Sequence, residues 1–242
     1  MSIIPNKLSK VLKALDEDKT DKDCPILKGT KGALICIVGK KRTGKTSLYL
    51  NMLSHKDIYN NYFHNIFMIS PSATSDHKLK TLVDEIQSED NFYSALTEGN
   101  IHDILKKIEV EQEMIKSKRI KLKKGQKIFN LLILDDVITD IPRTMKRNLI
   151  SQLFYNQRHY NLTIFLISQS YRNIPPNIRK QIDILHFFPA TNLKEKEALQ
   201  DDWDVPDNIL ELATTGEDHP FLTINLVGQK PIFFKKFDRI NI

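Results

Sequence analysis

Six apolar residues, Ala33-Leu34-Ile35-Cys36-Ile37-Val38, run without a break into Gly39-Lys40-Lys41-Arg42-Thr43-Gly44-Lys45-Thr46. Ser47-Leu48-Tyr49-Leu50-Asn51-Met52-Leu53 then follows with helical spacing. Strand, glycine-bounded loop and helix in that order leave few folds open. A continuous apolar run belongs to a strand covered on both faces, the situation of a parallel sheet flanked by helices. The GxxxxGK[ST] loop between strand and helix is a phosphate cradle. Its backbone N–H groups wrap a polyphosphate, and the following helix points its positive end at the same charge. Gly39, Lys40, Lys41, Arg42, Thr43, Gly44, Lys45, Thr46 and Ser47 are therefore the expected nucleotide-binding residues. Lys45 would reach the β/γ-phosphates, and the Thr46 hydroxyl would ligate Mg²⁺.

The rest of the chain extends this beginning. Strand-like runs at 65–69, 130–134, 162–167 and 184–188 alternate with helical patterns at 78–89, 101–118, 144–157, 194–202 and 208–213. Such alternation predicts an α/β fold with a mainly parallel central sheet and helices on both faces. Runs at 221–226 and 231–237, joined by Val227-Gly228-Gln229-Lys230, predict a C-terminal β-hairpin. Residues 1–28 are polar and charge-mixed and read as an arm, leaving 29–242 as the P-loop domain.

A phosphate loop alone does not separate kinases, switches and motors. The strand Leu131-Leu132-Ile133-Leu134 ends in Asp135-Asp136. A carboxylate at that position holds the Mg²⁺ shell, so Asp135 is the second candidate metal ligand beside Thr46. Asp136, next to it, is the candidate base for an attacking water, since a base must lie within hydrogen-bond reach of its proton. The strand at 162–167 ends in Ser168-Gln169. Ligands of open parallel sheets bind outside the carboxyl ends of the strands, and there Gln169 can contact the γ-phosphate or the water.

Composition sets limits. With 242 residues, 40% hydrophobic and 27% charged, the chain suits one soluble α/β domain. Its apolar runs are too short to span a membrane, and no membrane partner is expected. Two cysteines frame neither a disulfide scaffold nor a zinc site. The net charge of +6 and pI near 9.1 suit a polyanionic partner. Seven basic side chains without an acid fall within 114–128: Lys116, Lys118, Arg119, Lys121, Lys123, Lys124 and Lys127. They read as backbone contacts to DNA or as a solvated helix end. The histidines show no ligand spacing, and Trp203 reads as packing a helix end onto the sheet.

Three landmarks, GKKRTGKT, LLILDD and IFLISQSYRNIPPNIRKQID, occur in that order. The set resembles the genome-packaging ATPases of large DNA viruses and virophages, the poxvirus-type branch of the FtsK–HerA superfamily. Asn156-Gln157-Arg158-His159 is similar to the Arg-His step of that branch, and the resemblance covers about residues 29–190. It implies a RecA-like sheet in which an extra strand separates the phosphate-loop strand from the Asp-Asp strand. It also implies a homo-oligomeric ring, ATP hydrolysis at subunit interfaces and translocation of double-stranded DNA into a capsid. The setting would be a virion or the host cytoplasm, with a capsid or portal protein as partner. Lys45, Thr46, Asp135 and Gln169 match motif positions, while Asp136 departs from the Glu of many relatives and is one methylene shorter. An arginine supplied across the interface would complete the site, with Arg158 the first candidate and Arg179 the second. The alternatives are a cellular HerA-like DNA pump, a small-molecule P-loop kinase, and a structural subunit that binds ATP without hydrolysing it.

Overall fold

The computed structural model describes residues 24–75, 77–88, 90–122, 128–141, 148–189, 192–215 and 218–240. Among the described residues nine strands form one sheet: β1 Leu34–Val38, β2 Asn65–Ile69, β3 Phe92–Tyr93, β4 Asn130–Asp135, β5 Leu162–Ser168, β6 Ile184–Phe187, β7 Leu222–Asn225, β8 Ile232–Lys235 and β9 Asp238–Arg239. Their order is β3-β2-β4-β5-β1-β6-β7-β8-β9. β3 through β6 are parallel, and β7, β8 and β9 continue the sheet antiparallel. β5 lies between β1 and β4, which is the separating strand that the family resemblance implies. The predicted hairpin is β7–β8, with strand ends drawn in to Leu222–Asn225 and Ile232–Lys235.

Seven helices are described: α1 Lys45–Ser54, α2 Lys80–Ser88, α3 Glu98–Lys116, α4 Leu149–Asn156, α5 Pro176–Arg179, α6 Leu193–Trp203 and α7 Asp207–Thr214. α3 starts three residues before the expected position. The Thr97 side chain accepts a hydrogen bond from Asn100 N and caps the first turn. α4 starts at its own cap, where the Asn148 side chain accepts from Ser151 N at 2.7 Å. The expected helix over 144–157 thus begins partly outside the described residues. The brief elements β3, β9 and α5 were not expected, being too short for a periodic pattern to register.

Strand geometry sorts the core into two layers. Successive side chains point to opposite faces of the sheet. Leu34, Cys36, Val38, Leu132, Leu134, Ile164 and Leu166 pack on one face against Ile101, Ile104 and Ile108 of α3 and Leu153 and Phe154 of α4. Ile35, Ile37, Met68, Leu131, Ile133, Phe165 and Ile167 pack on the other against Leu48, Tyr49 and Met52 of α1 and Val83 and Ile86 of α2. This explains why β1 is buried at every residue. Cys36 belongs to the first layer, where burial pushes its thiol well above the ordinary range. Leu27 is buried in the second layer, and its carbonyl accepts from Tyr59 Oη. No helix among the described residues is long and apolar enough to cross a membrane.

His186, in β6, is fully buried. Its Nδ1 lies 2.8 Å from Thr223 Oγ1, and its ring meets Phe221 and Phe237 edge to face. Burial lowers its pKa from 6.5 to about 3, so the folded chain carries it neutral at physiological pH. The unfolded chain binds the proton below about pH 6.5 and the folded chain does not. Stability contributed by the neutral ring is therefore full above that pH and is lost as pH falls from 6.5 towards 3. The slope is at most about 1.4 kcal/mol per pH unit. Urea midpoints measured from pH 7 to pH 4 should fall more steeply for the wild type than for His186→Gln. Parallel curves would contradict a neutral buried ring.

Candidate nucleotide-binding and hydrolysis site

The register of the parallel strands assembles the site. Val38 pairs with Ser168, and Asp135 pairs with Ile167. The residues that follow, Gly39, Gln169 and Asp136, therefore leave the sheet side by side at its carboxyl edge. Gly39 N donates to Ser168 O at 3.1 Å, which ties the start of the loop to β5. Thr43 Oγ1 donates to Lys40 O at 2.9 Å and closes the turn. A Cβ at Gly39 would lie 2.6 Å from Phe188 Cβ and 2.7 Å from Thr43 Oγ1, so the loop has no room for one. Gly44 takes φ +104°, a left-handed conformation that favours glycine, and leads directly into α1. No side chain caps α1, and its first turn carries no acid. Its leading N–H groups are aligned with the positive end of the helix dipole.

Lys45 Nζ donates to Gly39 O at 2.7 Å and to Lys40 O at 2.8 Å, so the ammonium sits over the loop. Burial lowers its pKa, and the nearby Asp135 and Asp136 charges oppose that shift. Asp136 is exposed and has φ +59°, a left-handed backbone that the short polar side chain of Asp tolerates. Its Oδ1 accepts from Gln169 Nε2 at 3.0 Å. One cleft of ≈ 690 Å³ is lined by Lys41, Arg42, Gly44, Lys45, Thr46, Ser47, Asp135, Asp136 and Gln169. That volume lies within the range of sites that enclose small ligands. A larger cleft of ≈ 1000 Å³, between α3 and the β2–β3 edge, contains none of these residues.

The two candidate arginines lie elsewhere. Arg158 precedes β5, and its Nη2 is 3.7 Å from Asp183 Oδ1 just before β6. Asp183 Oδ2 in turn accepts from Leu34 N at 2.8 Å. Both groups thus sit at the amino edge of the sheet, the length of a strand (about 17 Å for five residues) from the cleft. Arg179 Nη1 is 2.6 Å from Asp202 Oδ2, and its guanidinium lies over the Tyr171 ring at 5.1 Å. Trp203 Nε1 donates to Tyr171 Oη at 2.7 Å, so the packing expected of Trp203 runs through a hydrogen bond to the segment after β5.

Sequence reasoning missed part of the lining. Ser72, Ser75, His77 and Lys78 enter the cleft from the segment after β2, with Lys78 Nζ 3.4 Å from Ser47 Oγ. They overhang the site because β2 neighbours β4, an adjacency that no sequence pattern encodes. His219 also lines the cleft, with Nδ1 3.1 Å from Thr43 O. It arrives from just before β7, whose antiparallel direction brings that end to the carboxyl edge.

The family profile of the poxvirus A32 protein matches residues 30–200. The chain belongs to this family. Membership agrees with the resemblance carried by the motif order, and the α/β fold with its mainly parallel sheet is the one expected. An uncharacterized protein of Acanthamoeba polyphaga mimivirus is 31% identical over 103 residues, covering 41% of this chain and 36% of that relative. The match thus spans only about a third of the relative's length. Among solved structures, the genome packaging NTPase B204 of Sulfolobus turreted icosahedral virus 2, in complex with ATP-gammaS, superposes with TM-score 0.55 at 17% identity. The superposition covers 85% of this chain and 98% of B204. EssC (ATPases 2 and 3) of Geobacillus thermodenitrificans superposes with TM-score 0.54 at 13% identity, covering 86% of this chain and 40% of EssC. At such identities the likeness is one of fold.

The crowding at Gly39 makes a direct expectation. Gly39→Ala must displace Phe188 or Thr43, costing about 1–3 kcal/mol of stability as overpacking does. It should weaken binding of a fluorescent ATP analogue at least about tenfold, since every tenfold corresponds to 1.4 kcal/mol. Unchanged affinity in a titration of the folded variant would show that the loop tolerates the extra carbon.

Proposed function

We propose that this chain hydrolyses ATP to drive double-stranded DNA through a homo-oligomeric ring and so packages a viral genome into a capsid. The observation that carries the reading is the Gln169–Asp136 hydrogen bond within the cleft that holds Lys45 and Thr46. A carboxylate held by a strand-end amide beside a phosphate cradle is suited to orient and deprotonate water. A kinase with a separate acceptor pocket has little use for it. Membership of the poxvirus A32 family favours packaging over a cellular DNA pump, and the bound nucleotide analogue in B204 supports ATP as the ligand of this cleft.

The residues divide the work as follows. The N–H groups of the 39–47 loop wrap the phosphates, and Lys45 exchanges its two carbonyl contacts for β/γ-phosphate oxygens. Thr46 and Asp135 offer a hydroxyl and a carboxylate, a hard-oxygen pair that fits Mg²⁺. A Mg²⁺ held by Thr46 and Asp135 would supply positive charge against the negative charge developing on the phosphates. Asp136 takes the proton of the attacking water, and Gln169 fixes the direction in which its carboxylate points.

Arg158 suits a finger given to the neighbouring subunit. It is exposed, it lies on the edge away from its own cleft, and a 3.7 Å contact is its ion pair. Arg179 is held by Asp202 and Tyr171 and would have to break both contacts. Lys116, Lys118, Arg119 and Lys121 are exposed at and beyond the end of α3 and are the described members of the proposed DNA contact. Lys123, Lys124 and Lys127 lie outside the described residues. In this reading residues 29–242 form the motor domain behind an arm of 1–28. The chain works at the viral assembly site, in virion or host cytoplasm, with a capsid or portal protein.

Asp136→Asn should keep ATP affinity within about twofold and lower the steady-state hydrolysis rate by about 10²–10⁴, the contribution of a positioned base. Lys45→Ala should abolish turnover. Retained hydrolysis in either variant refutes the assigned roles. Duplex DNA should stimulate wild-type hydrolysis, with log affinity falling linearly against log salt. Neutralising a phosphate-contacting residue such as Lys118 should reduce that slope by about one. Turnover indifferent to duplex, with phosphoryl transfer to a nucleoside, would favour the kinase. Electron micrographs with an ATP analogue and duplex should show closed rings threaded by DNA.

A further inference from the structure

Gln169 can hold Asp136 only if the chain after β5 is itself fixed, and the grip on that chain comes from α6. Glu195, in the first turn of α6, is half-buried, and its carboxylate faces three donors of the turn directly after Gln169. Ser170 Oγ donates to Oε1 at 2.5 Å, Tyr171 N donates to Oε2 at 2.7 Å, and Arg172 N donates to Oε2 at 3.4 Å. Charged acceptors make the stronger class of such bonds, and a carboxylate taking several donors fixes a turn in one geometry. Ser168 adds a local brace, since its Oγ donates to Ser170 O at 2.7 Å and accepts from Ser170 N at 3.2 Å. At the far end of α6, Asp202 Oδ2 accepts from Tyr171 Oη at 2.8 Å and pairs with Arg179. α6 thus holds the segment after β5 at two points, one of them immediately next to Gln169.

We propose that Glu195 is a positioning residue for hydrolysis: it locks the turn over Ser170–Arg172 so that Gln169 stays on Asp136. It does not line the cleft, and it acts through Gln169. The inference rests on the proposed roles of Asp136 and Gln169.

The test measures kcat, KM and nucleotide affinity on the full chain for Glu195→Ala, Glu195→Gln, Gln169→Ala and the Glu195→Ala/Gln169→Ala double variant. Small misplacements of a catalytic group cost up to about 10²-fold. Glu195→Ala should therefore lower kcat roughly 10- to 100-fold, with KM and ATP-analogue affinity within about twofold. Glu195→Gln keeps an acceptor for Tyr171 N and should recover most of the rate. In the Gln169→Ala background, Glu195→Ala should cost nothing further, the non-additivity expected of residues acting as one unit. Additive losses, or a rise in KM equal to the fall in kcat, would assign Glu195 to general packing and overturn the proposal. Wild-type kcat in folded Glu195→Ala with a slow Gln169→Ala would overturn it too, leaving the reading of the cleft intact. Full activity of Gln169→Ala would remove both. Should Glu195→Ala not fold, Ser170→Ala removes one of the three donors and carries the same cycle with a smaller expected loss.

Discussion

One strand placement governs this molecule: β5 runs between β1 and β4, hydrogen-bonded to both. Parallel strands in register end on a common line, and that line is where chemistry can be assembled. With β5 in the middle, the loop from β1 and the acids from β4 stand apart by one strand width on either side of Gln169. Neighbouring strands lie about 4.8 Å apart, so the gap between loop and acids is about twice that. Side chains can meet a phosphate group across such a gap, and a glutamine from the strand between them can reach either flank. Without the inserted strand, the loop and the acid pair would leave the sheet as direct neighbours.

The insertion is affordable only in a sheet buried on both sides. β1, β4 and β5 are apolar almost throughout, and their alternate residues feed two separate layers of helices. That arrangement removes the strands from water and places their acids and Gln169 at the carboxyl ends. Asp135, Asp136 and Gln169 are polar because they stand at that boundary. The antiparallel strands β7 to β9 serve a different purpose on the β6 side. They extend the sheet outward, and because β7 starts at the carboxyl edge, the segment just before it sets His219 against Thr43.

The sequence makes the central part of this legible because the informative residues are contiguous with strong periodic signals. β1, β2, β4 and β5 each announce themselves as short apolar runs, and each carboxyl end carries its polar residue within two positions. The loop is legible through its glycines, whose need is visible at Gly39 and Gly44. Strand order is another matter. Nothing in the composition of β2 says that it flanks β4, so Ser72, Ser75, His77 and Lys78 gave no sign of facing the candidate cleft. Glu195 and Asp202 lie in the helix expected over 194–202, and its pattern does not mark them. Their partners are backbone and side-chain donors 23 to 31 residues upstream, and such pairing follows from tertiary placement alone.

The separation of Arg158 from the cleft has a kinetic meaning. The cleft opens at one rim of the sheet, and this arginine is anchored near Asp183 at the other. On the proposed reading an isolated subunit owns every part of the machinery except the last charge, and it cannot fold back to supply it. Turnover per polypeptide would then climb with protein concentration, as mass action dictates for any centre shared by two molecules. A dilute preparation would hydrolyse little, however well folded, and the chain would stay idle until assembly begins.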